Sequence, residues 1–190
     1  VRVFEPKKNH FSVTLGLFAR PFGYEVNFSS SFRETPERAR MSQTLMPSER
    51  DLGGMVRYES QKSDRKKVQI KFDVGVFNGQ GKSGPAEFDS FKDVIGRVAL
   101  KPVELGSFSL SAGISHLNGG WMQTTKYRYE MGGNGNSKEF IVDSSLSNIG
   151  KKAPRQYYGA DMQVAFKHLW GKTEIRGEYW KGKQPGTAST

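Results

Sequence analysis

Lys67-Val68-Gln69-Ile70-Lys71-Phe72-Asp73-Val74-Gly75-Val76-Phe77 is the stretch on which the fold turns. Val68, Ile70, Phe72, Val74 and Val76 take every second position, with Gln69, Lys71, Asp73 and Gly75 between them. A strand sends successive side chains to opposite faces, so one face is wholly apolar and the other polar or small. A helix would scatter both sets around its axis, and period two decides for strand. Whether the apolar face meets a protein core or lipid is left to the rest of the chain.

The alternation recurs on both sides of this stretch. Upstream, Val1-Arg2-Val3-Phe4 reads as the tail of a strand, and hence as a mature chain or a piece cut inside a fold. Phe11, Val13, Leu15, Leu17 and Ala19 alternate with Ser12, Thr14, Gly16, Phe18 and Arg20, and residues 53–60 set Val56 and Tyr58 against Arg57 and Glu59. Downstream, residues 92–102 set Val94, Val98 and Leu100 against Asp93, Arg97 and Lys101. Phe108, Leu110, Ala112 and Ile114 then alternate with serines and a glycine. Tyr158, Ala160, Met162, Val164 and Phe166 oppose a set containing Asp161 and Lys167, and Ile175, Gly177 and Tyr179 oppose Glu174, Arg176, Glu178 and Trp180. The expected fold is all-β and antiparallel, with about eight strands in up-and-down order.

Connections alternate between short turns and long loops. Long structureless loops are uncommon in compact soluble domains, whereas outer-membrane barrels place short turns on one side and long loops on the other. Together with strands near bilayer-crossing length, this rhythm predicts a transmembrane β-barrel. Residues 1–190 are expected to form a single barrel domain or a fragment of one; a soluble meander or sandwich is the alternative. Residues 21–51 form the first long loop. In it, Thr35-Pro36-Glu37-Arg38 carries the helix-start pattern of N-cap, proline and acid, which predicts a short helix ending by Met46. Residues 126–130 and 139–142 read as an exposed hairpin, and the tail after the last strand shows no packing pattern.

Composition excludes several classes. Lys and Arg number 29 against 19 Asp and Glu, a formal net charge of +10, and cysteine is absent, which leaves the compartment open. No run of about 18 apolar residues exists, so a transmembrane helix is excluded; a barrel is not, because only alternate residues face lipid. His10, His116 and His168 lie far apart with no ligand spacing, so no metal or cofactor is expected. No nucleophile elbow and no phosphate-cradling loop occurs; Gly132-Gly133-Asn134-Gly135 reads as a loop tip, and enzymatic activity is not expected. The positive excess sits in connections, at Lys7, Lys8, Lys62, Arg65, Lys66, Lys67, Lys126, Arg128, Lys138, Lys151, Lys152 and Arg155. Such turns suit anionic lipid headgroups or lipopolysaccharide, though a solvated face is the commoner explanation. Nucleic acid is not an expected partner, because aromatics interleave with charge only at Tyr127 and Tyr129.

In the first long loop, Pro21-Phe22-Gly23 with Glu25, Ser29-Ser30, Glu37-Arg38, and Arg50-Asp51 with Gly53 resemble the family of phosphate-selective porins and their relatives. The ordered set covers about thirty residues between two strands. The resemblance implies a homotrimeric barrel in the bacterial outer membrane with roughly twice the strands countable here. This chain would then be an internal piece of a larger porin, with a complete eight-stranded barrel as the weaker alternative. The family's anion ladder does not map onto these residues, so phosphate specificity is not carried over.

For a pore, the polar faces supply the candidate lining: Arg20, Arg57, Lys71, Arg97, Lys101, Lys167 and Arg176 against Glu59, Asp73, Asp93, Asp161, Glu174 and Glu178. Seven cations against six carboxylates make a nearly neutral, mixed wall suited to a water-filled lumen. The candidate constriction or latch carries Arg33, Glu37, Arg38, Arg40, Arg50 and Asp51. Its arginines either pair with neighbouring acids or fold inward as fork-shaped donors to an oxyanion. Phe11, Tyr58, Phe108, Tyr158, Phe166 and Tyr179, with Trp170 in a turn, fit an interfacial girdle. The expected function is passive diffusion of small hydrophilic solutes, with an anion bias left open. The rival is a barrel or soluble β-domain whose long loops bind a protein or glycan without a conducting lumen.

Overall fold

A computed structural model describes residues 1–4, 10–61, 68–82, 89–133, 137–184 and 186–187. The main sheet has eight antiparallel strands: β1 (Arg2–Phe4), β2 (Phe11–Ala19), β3 (Arg50–Glu59), β4 (Ile70–Phe77), β5 (Asp93–Leu105), β6 (Phe108–Met122), β9 (Lys152–His168) and β10 (Gly171–Lys183). They stand in sequence order, with β7 (Arg128–Gly132) and β8 (Glu139–Asp143) set aside. Those two form a hairpin, widened to three strands by β11 (Gly186–Thr187), so the polar tail does pair. The all-β expectation and the antiparallel order hold. β5 runs past residue 102, where the sequence pattern ends, to Leu105 through a register shift between Leu100 and Val103.

β6 and β9 run well into the expected long loop, to Met122 and from Lys152, in register at Met122↔Lys152. Pro154 is tolerated there because β10 ends opposite Gln156, so the ring lies where β9 has no second neighbour. Gly120, at φ 144, pairs with it, and a methyl on Gly120 would overlap the Ala153 carbonyl.

The sheet is rolled. β2 and β10 are six strand steps apart, so a flat sheet would separate them by roughly 29 Å. Yet the Phe22 ring, three residues and at most about 10 Å of chain beyond Ala19, lies 4.8 Å from the Trp180 ring on β10. Only a strongly curved trough allows that contact. Among the described residues β1 and β10 are its unpaired edges, so it is an open trough and not a closed barrel.

Burial runs opposite to that of a soluble sheet. On the convex face, Val13, Leu15, Leu17, Val56, Phe72, Val74, Val76, Val94, Val98, Ile114, Met162, Ile175 and Tyr179 are all exposed. On the concave face, Ser12, Thr14, Asp73, Asp93, Ser115, Asp161 and Gln163 are buried. The girdle aromatics lie on the convex face, and at the short-turn end they pair: Phe11 with Tyr58 at 5.1 Å and Phe108 with Phe166 at 6.1 Å. Among the described residues no helix is long and apolar enough to cross a membrane, which has no bearing on strands.

Candidate functional site

The connection between β2 and β3 folds across the concave face. Its base closes where Arg20 N–H donates to the Glu49 carbonyl at 3.0 Å. Phe22 is fully buried, edge-on to Trp180 and 6.2 Å from the Tyr157 ring. A methyl on Gly159 would come within 3.1 Å of the Phe22 ring, so the glycine makes room for it. Gly23 has φ 63, its N–H donates to Ser115 Oγ at 3.0 Å, and a methyl there would overlap the Glu178 carboxylate. Both the backbone region and the close approach therefore require glycine. The Pro21-Phe22-Gly23 stretch is a tight entry into the trough.

Glu178 on β10 anchors that entry. Its carboxylate accepts from Tyr24 N–H and Glu25 N–H at 3.0 Å each and from Trp180 Nε1–H at 2.7 Å. Glu25 in turn accepts from Ala39 N–H at 2.6 Å and from the Ser42 hydroxyl. It thereby caps α1, which spans Arg40–Leu45. The helix thus starts four residues later than the Thr35 signature predicts, since the Thr35 hydroxyl donates to the Glu37 carbonyl and the cap comes from Glu25, distant in sequence. Phe22, Val26 and Met46 of the segment pack against Met55, Phe77, Ile95, Leu117, Tyr157 and Trp180 of the wall. That corrects the expectation of a uniformly polar inner face: its long-loop half carries an apolar patch which the segment covers.

A second tether joins the segment to β10. Arg176 donates to Glu34 at 2.9 Å and to Glu174 at 2.7 Å, and its guanidinium lies 4.7 Å from the Phe28 ring centroid and 5.8 Å from that of Tyr24. The hydrogen bond from Arg176 holds the Glu34 carboxyl below its usual range. Burial pushes the Tyr24 phenol up. Burial, with Arg155 close by, pushes the Arg20 guanidinium down to about 10, leaving it charged at neutral pH.

The wall charges are mostly matched in place. Asp73 binds Arg57 at 2.5 Å and Lys71 at 3.3 Å, Arg97 binds Asp161 at 2.5 Å, and Lys101 binds Glu59 at 2.8 Å. Arg155, read from the sequence only as loop charge, pairs with buried Asp93 and donates to the Gly79 carbonyl. Several expected lining residues therefore face no open lumen. Arg20 lies past the end of β2, buried, donating to the Ser48 carbonyl. Asp51 and Asp93 are buried and accept from the backbone N–H groups of Gly79 and Gly120. Asp73 and Asp161 are buried within their ion pairs. Lys167 and Glu174 stay exposed near the short-turn end.

In the segment, Arg33 and Arg38 reach the same carboxylate, Glu49, at 3.9 and 3.2 Å. Arg33 Nε and Arg38 Nη1 are buried without a hydrogen-bond partner among the described residues. Glu37 and Arg40 are exposed. Arg50 opens β3 exposed on the convex parity of Leu52 and Val56, away from the trough. The structure therefore gathers Glu178, Trp180, Tyr157 and Ser115 around the segment, and sequence reasoning singled out only Glu178 among them. Carrying the parity of Asp73 and Gly75 one step to Phe77, or that of Arg57 back to Met55, was the available signal.

Comparisons with protein-family models, curated proteins and solved structures return no match. No group of His, Cys, Asp or Glu side chains among the described residues is arranged to hold a metal ion.

Proposed function

We propose that this chain is part of the wall of a bacterial outer-membrane porin, allowing passive diffusion of small hydrophilic solutes, with residues 20–49 as its constriction. One observation carries the reading: in strand after strand the apolar members of the alternation are exposed and the polar members buried. In water that arrangement leaves a large continuous apolar surface unmatched. In a bilayer it is the stable one, because lipid takes the apolar face while ion pairs and water share the inner one. From Tyr158 to Phe166, the eight residue-to-residue steps of β9 span about 26 Å along the strand, or roughly 20 Å once tilted, near the height of an outer-membrane apolar band.

On this reading further strands pair with the edges at β1 and β10 to close the barrel, since an open edge is not tolerated in hydrocarbon. Outer-membrane lipid, lipopolysaccharide and other copies in a homotrimer are the partners. The paired wall charges favour neither sign strongly, and small hydrophilic solutes, anions among them, are the cargo. Single-channel recording in planar bilayers is the test: ion-selective conductance steps support a pore. Silence from an inserted, well-folded barrel rejects it.

A second reading has its own observation. In the β7–β8 hairpin, Tyr129 pairs with Val142 and Met131 with Phe140, and Met131, Phe140 and Val142 are exposed. That unpartnered apolar face suits loops that bind a protein or glycan without a conducting lumen, the outcome that silence in the bilayer favours.

A further inference from the structure

We infer that the space between the inward segment and the short-turn half of the wall binds a small aromatic carboxylate, of which benzoate is the simplest. The inference deepens the porin reading and rests on it for a place in a permeation path. A cavity of about 250 Å³ lies there, bounded by Tyr24 and Phe28 from the segment and by Lys71, Asp73, Arg97 and Lys101 from the wall. Drug-sized ligands take roughly 300–1,000 Å³, so this space suits a single ring. Tyr24 and Phe28 stack with centroids 5.2 Å apart and an interplanar angle of 27°, a ready apolar wall for a flat group.

The cationic side keeps donors in reserve. Arg97 is committed, donating through two nitrogens to Asp161 and to Ser115 Oγ. Lys71 meets one carboxylate oxygen, Asp73 Oδ2, and Lys101 meets Glu59 Oε1 and the Ser60 carbonyl. An ammonium has three N–H donors, so both lysines retain capacity. Their side chains are 29% and 27% exposed, within reach of a solute. An inorganic oxyanion would use the lysines and leave the rings idle, and a neutral ring would do the reverse. A planar ring bearing an anionic group uses both walls at once, and a carboxylate is the smallest such group.

Equilibrium binding to the full chain folded in detergent micelles, read by ligand-observed NMR, tests this without needing conductance. Benzoate is compared with acetate, inorganic phosphate and benzyl alcohol. Benzoate is expected to bind roughly ten-fold tighter than each, with about a ten-fold loss in Lys71→Gln and in Phe28→Leu. Phe28→Leu preserves apolar volume, and retained sheet circular dichroism certifies its fold. Acetate, phosphate or benzyl alcohol binding as tightly as benzoate would overturn the inference, as would unchanged affinity in folded Phe28→Leu. Benzoate binding by a chain that never conducts would sink the porin reading alone; a conducting channel indifferent to benzoate would sink only this inference.

Discussion

Replacing Glu178 with alanine should release the inward segment while leaving the sheet in place. The substitution strips the acceptor from Tyr24 N–H, Glu25 N–H and Trp180 Nε1–H together. Hydrogen bonds to a charged acceptor contribute about 1.5–3 kcal/mol each when buried. Glu178 is only half-buried, so water can replace part of that, and ~2–4 kcal/mol in all is the reasonable loss. At about 1.4 kcal/mol per decade, the segment opens roughly thirty-fold to seven-hundred-fold more often. Amide hydrogen exchange in detergent micelles reads this directly at Tyr24 and Glu25, with the β4–β5 ladder as internal control. Glu178→Gln, which keeps one acceptor oxygen, should lie between wild type and alanine. Unchanged protection at Tyr24 and Glu25 over an intact ladder would refute the latch. So would collapse of the ladder itself, which would make Glu178 a residue of the fold.

Gly23→Ala should be harsher than Glu178→Ala, because it adds left-handed backbone strain of about 1–2 kcal/mol to a clash with the Glu178 carboxylate; exchange at Tyr24 faster than in Glu178→Ala would bear this out. Asp161→Ala leaves the mostly buried Arg97 side chain without its counter-charge and should cost up to about 3 kcal/mol in denaturant unfolding, while Asp161→Ala with Arg97→Met should recover most of it. The Glu34 carboxyl is held below its usual value by Arg176, so that contact is fully present above the ordinary Glu range and is lost as pH falls through the depressed value. Nitroxide labels at residue 31 and on β10, leaving Glu34 and Arg176 in place, should show the tip loosening only under acid, and loosening between pH 6 and 8 would contradict the assignment.

Period two in Phe11–Ala19 or Ile70–Phe77 was enough to place strands, faces and hairpins, since each strand alternates over most of its length. What periodicity cannot carry is which face is covered, because the same alternation serves a soluble sheet and a barrel alike. The inner apolar patch escaped notice for a related reason: Met55, Phe77 and Leu117 share a parity with Arg57, Asp73 and Ser115, and charge on a face draws attention from its apolar members. The start of α1 was illegible because its cap, Glu25, is fourteen residues away from Ala39 and belongs to another turn. The Gly119–Met122 and Lys152–Arg155 extensions look like loop, rich in glycine and broken by Pro154, and become strand only because each finds the other in register. The role of Gly23 was visible only as part of a motif, whereas its necessity comes from a left-handed backbone and from the close approach of Glu178, more than a hundred residues downstream.

The central claim is that the convex face meets hydrocarbon, and Val74, in the middle of β4 on that face, is the place to ask. Val74→Arg, measured by reversible unfolding from phospholipid vesicles, should destabilise the fold by about 2–4 kcal/mol, as a cation near the bilayer midplane does. A change within about 0.5 kcal/mol, as an exposed site in water shows, together with a monomer that stays folded in detergent-free buffer, would contradict the account.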